Sequence, residues 1–165
     1  MTRSIAAAAL ALVLVGPGLL ARPALGQDAG KANEEVNIEA AEMEIIDADK
    51  TAVFRGDVVA RRGDETRRSS EMTVTYSDIK QPDGSTKTQA DVLDATGGVT
   101  IATAKQTITA AKARINISKD TLTATGNVKV VQGKTVLTGE RLTSDLKGGH
   151  SVMSGGRVRG TFVPR

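Results

Sequence analysis

The chain repeats itself, and the repeat carries the period of a β-strand. Residues 38–76 lie on residues 108–146 at a constant offset of 70, with Ile38 on Ile108, Ile45 on Ile115, Gly56 on Gly126, Val58 on Val128 and Gly63 on Gly133. A finer unit sits inside this one. The segment TAVFRGDV (51–58) matches TLTATGNV (121–128), and shortened forms recur as LDATGGV (93–99) and VMSGGRV (152–158). Self-similarity on this scale marks a stack of supersecondary units, none of which closes a core alone.

Within each unit apolar and polar residues alternate. Leu122, Ala124, Val128 and Val130 are separated by Thr121, Thr123, Thr125, Asn127 and Lys129. The other copies give Ala52, Phe54, Val58 and Ala60, then Leu93, Ala95, Val99 and Ile101, then Val152 and Val158. Alternation of period two is the mark of a strand with one face buried. Between these strands runs a second motif, Ile38-x-Ala40-x-x-Met43-x-Ile45, repeated from Ile108 to Ile115 and in part at Leu137–Leu142 and Ser69–Tyr76. Its additional central residue shifts the parity, which predicts a β-bulge or bend. Gly63 and Gly133 mark equivalent tight turns. The expected fold is all-β, an elongated repeat stack of antiparallel strands.

Four glycines, Gly56, Gly97, Gly126 and Gly156, mark equivalent points at spacings of 41, 29 and 30 residues. The longer first interval locates a polar insertion at 77–91, expected to be a loop around the turn-forming Pro82-Asp83-Gly84.

The first 26 residues read as a secretory signal peptide. Arg3 precedes the apolar run IAAAALALVLVGPGLL (5–20), and small residues follow at Ala24-Leu25-Gly26. Cleavage after residue 26 would leave an exported mature chain. Residues 27–35 read as a flexible lead, 36–160 as the repeat domain and 161–165 as a frayed tail. Two of the 22 basic residues, Arg3 and Arg22, belong to the signal peptide, leaving 20 against 19 acids. Without a strongly basic field, and with Phe54, Tyr76 and Phe162 as its three aromatics, the chain is a poor nucleic-acid binder. It has no cysteine and a single histidine, His150, which excludes thiolate and multi-histidine metal sites. No cofactor is implied.

NIEAAEME (37–44), AVFRGDVV (52–59), LTATGNVK (122–129) and TGERL (138–142) follow one another in an order that resembles the OstA-like domain of the LptA family. The resemblance covers nearly all of residues 36–160. It implies a β-jellyroll that carries lipopolysaccharide between the inner and outer membranes, with acyl chains in an apolar interior. It also implies end-to-end docking with OstA-like domains of the membrane components. The groove residues so implied are Ile38, Met43, Ile45, Phe54, Val58, Val99, Ile101, Ile108, Ile115, Leu122, Val128, Val130 and Leu142. Arg61, Arg62, Arg67 and Arg68, around the Gly63-Asp64 turn, are candidates for lipid A phosphates, because guanidinium binds phosphate in a bidentate fork. The other reading of that cluster is a solvated hairpin tip. No catalytic residue is expected. A structural or adhesive solenoid is the alternative. A polysaccharide-active β-helix enzyme is a further one; it would need carboxylates clustered on one outward face, whereas Asp47, Asp49, Asp57 and Asp64 fall at turns and scattered outward positions.

Charge is unevenly spread along the chain. Residues 27–104 hold 9 bases and 16 acids, whereas 105–165 hold 11 bases and 3 acids. An acidic start and a basic end favour head-to-tail association of like copies. Self-association is therefore expected to weaken as salt is raised from about 0.05 to 0.5 M, where screening shortens. Sedimentation measurements that show no salt dependence would remove the electrostatic contribution.

Overall fold

The structure, a computed structural model, describes residues 36–163. The signal peptide expected at 1–26, the lead expected at 27–35, and Pro164 and Arg165 lie outside the described residues. The rest is nearly all strand: β1 (Asn37–Glu39), β2 (Glu42–Ile46), β3 (Thr51–Arg62), β4 (Glu65–Lys80), β5 (Thr86–Ala102), β6 (Thr107–Asn116), β7 (Thr121–Gln132), β8 (Thr135–Asp145), β9 (Ser151–Ser154) and β10 (Arg159–Thr161). One short 3-10 turn, at Asp47–Asp49, links β2 to β3.

Every pairing is antiparallel, and β3 to β8 pair in chain order. The sheet is not closed. Two short strands, β1 and β2, share one edge beside β3, and β9 and β10 share the other beside β8. Position along the chain is thus position across the sheet. The all-β, antiparallel repeat stack expected from the alternation is the fold observed.

The strands β3, β5 and β7 each bulge once, at the glycine that marks the repeat. From Arg55 to Val58 the third strand takes one residue more than β4 takes from Glu71 to Ser69, and the same register shift recurs at each later pairing through β8. Two successive residues there have positive φ: Gly56 and Asp57, Gly97 and Gly98, Gly126 and Asn127, Gly155 and Gly156. That explains the Gly-Asp/Asn/Gly dipeptide, since Asn and Asp tolerate the left-handed region better than other side chains. The first residue of each pair is glycine for a second reason. A Cβ on Gly56, Gly97 or Gly126 would lie 2.6–2.7 Å from the Cβ of Ala41, Ser70 or Ala111. The bend lets both arms of the sheet contribute to one core cluster that includes Val58, Met72, Leu93, Ile108, Leu122 and Leu142.

Two expectations are corrected here. In the fourth repeat the corner glycine is Gly155, not Gly156: it has φ +79 and its Cβ would face Glu140, as Gly126 faces Ala111 fifteen residues back. The sequence match was displaced by one residue, and the strand is interrupted between Ser154 and Arg159. The insertion at 77–91 is not a loop. Tyr76 to Lys80 pair with Ala90 to Thr86, so it lengthens the β4–β5 hairpin, and only 81–85 form the turn. Asp83 accepts hydrogen bonds from the Ser85 amide and hydroxyl, which fixes that turn. At the hairpin base Lys50 Nζ donates to Asp78 Oδ2 at 2.7 Å and the Thr88 hydroxyl donates to Oδ1 at 2.9 Å. These bonds hold the Asp78 carboxyl below the ordinary carboxylate range. Strand pairing also extends through Thr161, the first residue of the tail expected at 161–165.

The corner predicts a contrast between two glycines. Gly126→Ala combines a positive φ with a clash and is expected to cost about 2–4 kcal/mol. Gly133→Ala, at φ +57 with nothing within 4 Å of the new Cβ, is expected to cost about 1 kcal/mol. Urea melts of the two variants measure this; equal midpoints would contradict the corner's role.

Candidate lipid-binding interior

Strand register sorts the inward side chains into rows that cross the sheet. In one arm, Ile38, Ala60, Arg67, Ile101, Ile108, Val130 and Leu137 are successive cross-strand partners. Beside the corner, Val58 faces Ser69, Val99 faces Ala110 and Val128 faces Gly139. In the other arm one row runs Met43, Phe54, Met72, Ala95, Ala113, Ala124, Leu142, Met153. The next runs Ile45, Ala52, Val74, Leu93, Ile115, Leu122. Cross-strand neighbours on one face are the contacts that stabilise a sheet.

All thirteen groove candidates therefore lie on one face. They differ in burial. Val58, Val99, Ile101, Ile108, Ile115, Leu122, Val128, Val130 and Leu142 are buried, and Ile38 and Phe54 pack partly buried against them. Met43 and Ile45 hold the right register but are 58% and 56% exposed, because β2 is an edge strand with no neighbour beyond it among the described residues. Alternation places Leu93, Ala95 and Ala124 on the buried face, but these three, with Met72 and Ala113, are not among the groove candidates. The parity-shifted motif hid Met72, and alanine alone does not distinguish an inner from an outer position. Val53 is buried yet lies outside the core cluster, so alternation is not strict in β3.

The four arginines separate. Arg61 and Arg68 are exposed; Arg61 Nη1 donates to Glu39 Oε1 at 2.6 Å. Arg67 is turned inward and is 7% exposed, in the row between Ala60 and Ile101, with its Nε donating to Glu65 Oε1 at 2.7 Å. Arg62 is half-buried and is the cross-strand partner of Glu65. The cluster is thus not a single hairpin-tip patch. The signal was present: Arg67 shares the parity of Ser69 in the Ser69-x-x-Met72 motif.

The outer face is polar. Arg114 makes two hydrogen bonds to Asp94, at 2.6 and 2.9 Å, and together with Lys112, Thr125 and Arg141 it lines a shallow depression of about 300 Å³. Asp47, Asp49, Asp57 and Asp64 lie at turns or corners and are exposed. Among the described residues no group of three or more His, Asp or Glu side chains is placed to hold a metal ion.

Both edges leave apolar side chains uncovered: Val36, Met43 and Ile45 at the first, and Val152, Val158 and Phe162 at the other. The acids of the first edge are partly engaged within the chain, since Arg55 meets Glu44 and Glu71 at 2.9 and 3.2 Å. At the second edge Arg157 and Arg159 form no ion pair among the described residues.

Residues 37–147 match the family described as LptA/(LptD N-terminal domain) LPS transport protein. The chain belongs to that family. A solved structure of similar fold is LptH, described as the LptA-homologous periplasmic component of the conserved lipopolysaccharide transport device of Pseudomonas aeruginosa. It aligns with a TM-score of 0.68 and 15% identity, covering 81% of this chain and 99% of that one. An uncharacterized protein of Rhizobium meliloti (strain 1021) is 29% identical over 172 residues, 96% of this chain and 91% of its own length. The family match ends at residue 147, before the start of β9.

Proposed function

We propose that this protein is a periplasmic carrier of lipopolysaccharide, exported by the signal peptide at 1–26, that shelters acyl chains against the inner face of its sheet. The observation that carries this reading is a set of largely apolar rows across the inner face of an unclosed sheet, with Met43 and Ile45 uncovered at the first edge and Val158 and Phe162 uncovered beside the second. Each CH₂ removed from water contributes about 0.8 kcal/mol, so a row of several strands offers an acyl chain ample stabilisation. The inner side chains are small, many of them Ala and Val, which leaves the two arms able to part over a guest. The inner side chains of the two arms form one core, with Val58 and Ala124 wholly buried.

The edges suit docking. Strands β1 and β2 on one side and β9 and β10 on the other present unpaired backbone, and strand addition by a like domain would extend both the sheet and its apolar rows. The acidic half ends at the first edge and the basic half at the second, which favours copies of this chain, or OstA-like domains of the inner- and outer-membrane components, joining head to tail. The protein in this reading bridges the membranes, performs no chemical step and uses no cofactor. A structural or adhesive solenoid would share the fold but would have no use for apolar rows left open at both edges.

The test is lipopolysaccharide binding by the purified protein, set against Phe54→Ser and Leu137→Ser. Both side chains face inward and are only partly buried, so the variants are expected to keep the far-ultraviolet circular dichroism of the parent. Saturable binding that each variant weakens about tenfold, equivalent to about 1.4 kcal/mol, is the expected result. Parent protein that binds no lipopolysaccharide, or folded variants that bind as well as the parent, would contradict it.

A further inference from the structure

One charged side chain lies among the apolar rows. Arg67 is the only buried charged residue among the described residues, and Ser69, two positions along the same strand, is the one other buried polar residue. A guanidinium taken out of water needs partners for its donors. Arg67 has one: its Nε donates to Glu65 Oε1 at 2.7 Å. Its two Nη groups donate to no described residue and keep contact with solvent, since among the described residues no buried side-chain nitrogen lacks a partner. Glu65 in turn lies in register with Arg62 on the same face. The fork of an arginine matches two oxygens of a phosphate, a geometry that lysine does not offer.

The position of this cluster across the inner face gives it meaning. It stands where the rows run out toward the β3–β4 turn, and on the same side Gln132 pairs with Thr135 at the β7–β8 turn. At the opposite side the rows run out through Tyr76, paired with Ala90, and Ile117, which packs against the core. The inner face is therefore amphipathic across its width, polar and cationic along one side and apolar along the other. A phosphorylated, acylated saccharide has the same division. Arg61 and Arg68 lie on the outward side of the same hairpin and take no part.

We propose, on the basis of the cargo reading above, that Arg67 is the interior anchor for a phosphate group of the lipid, with Arg62 beside it. Glu65 holds the guanidinium in place in the empty protein and gives way to the phosphate when the lipid enters. The acyl chains then extend from this side across the apolar rows. The anchor fixes the orientation of the cargo, a task that apolar rows alone cannot perform because they bind chains without direction.

The experiment compares binding of bis-phosphorylated lipid A and of its dephosphorylated counterpart with identical acyl chains. The parent protein is expected to prefer the phosphorylated form at least tenfold. Arg67→Met, which keeps the apolar stem, is expected to lose that preference while still binding the dephosphorylated form, and Arg68→Met is expected to keep it. Glu65→Gln removes the competing carboxylate and is expected to tighten binding of the phosphorylated form several-fold. This last arm stands even if Arg67→Met fails to fold, because a merely structural ion pair predicts the opposite sign. Equal binding of the two lipids by the parent, or weakened phosphorylated-lipid binding in Glu65→Gln, would overturn the anchor and leave the cargo reading intact. Parent protein that binds neither lipid would overturn both.

Discussion

The bend at each Gly-Asp/Asn/Gly corner is the constraint on which the rest of the structure depends. A flat sheet with one apolar face has nothing within its own chain to bury that face against. Here the strands turn at the same point because two successive residues adopt positive φ and the neighbouring strand presents Ala41, Ser70 or Ala111 where only glycine fits opposite. The result is a pair of arms whose inner rows form one core. The bulge also reconciles the two sequence motifs. One strand spends an additional residue at the corner, and both keep their apolar side chains on the inner face.

From that geometry the functional features follow in order. Sequential antiparallel pairing places the acidic half of the chain at one edge of the sheet and the basic half at the other. The inner rows reach both edges of the sheet, where Met43 and Ile45 on one side and Val158 and Phe162 on the other stay uncovered, so the interior is a surface that a neighbouring domain would continue. The long β4–β5 hairpin, tied down by Lys50, Asp78 and Thr88, projects beyond the strands around it without interrupting the rows. Membership of the LptA/(LptD N-terminal domain) family and the fold shared with LptH are consistent with that use of an open, repeated sheet.

Much of this was legible in the sequence, and the exceptions have physical causes. Alternation gave the strands and their inward side chains, because period two is imposed by the pleat itself. The dipeptide at the corner was visible as a conserved spacing within the chain, but its need for two positive φ values was not, since Asp57 and Asn127 look like ordinary turn residues. Gly155 was mistaken for Gly156 because adjacent glycines carry no side chain to set the register. The 77–91 segment looked like a loop because both strands of a solvent-exposed hairpin are polar, and no buried face exists there to impose alternation. Arg67 was read with its three neighbours as a surface cluster, because charge dominates a one-dimensional reading and parity after a bulge is easily lost. The exposure of Met43 and Ile45 depends on which strands form the edge, and that is a property of the whole sheet.

The central claim is that the inner face, and not the outer one, is the lipid path. It is tested most directly by placing a photo-activatable side chain singly at Phe54 or Leu137, which face inward, and at Lys112 or Lys129, which face outward, then irradiating in the presence of lipopolysaccharide. The account predicts lipopolysaccharide adducts at Phe54 and Leu137 and none at Lys112 and Lys129. Adducts confined to the outward positions, or equal at all four, would contradict it.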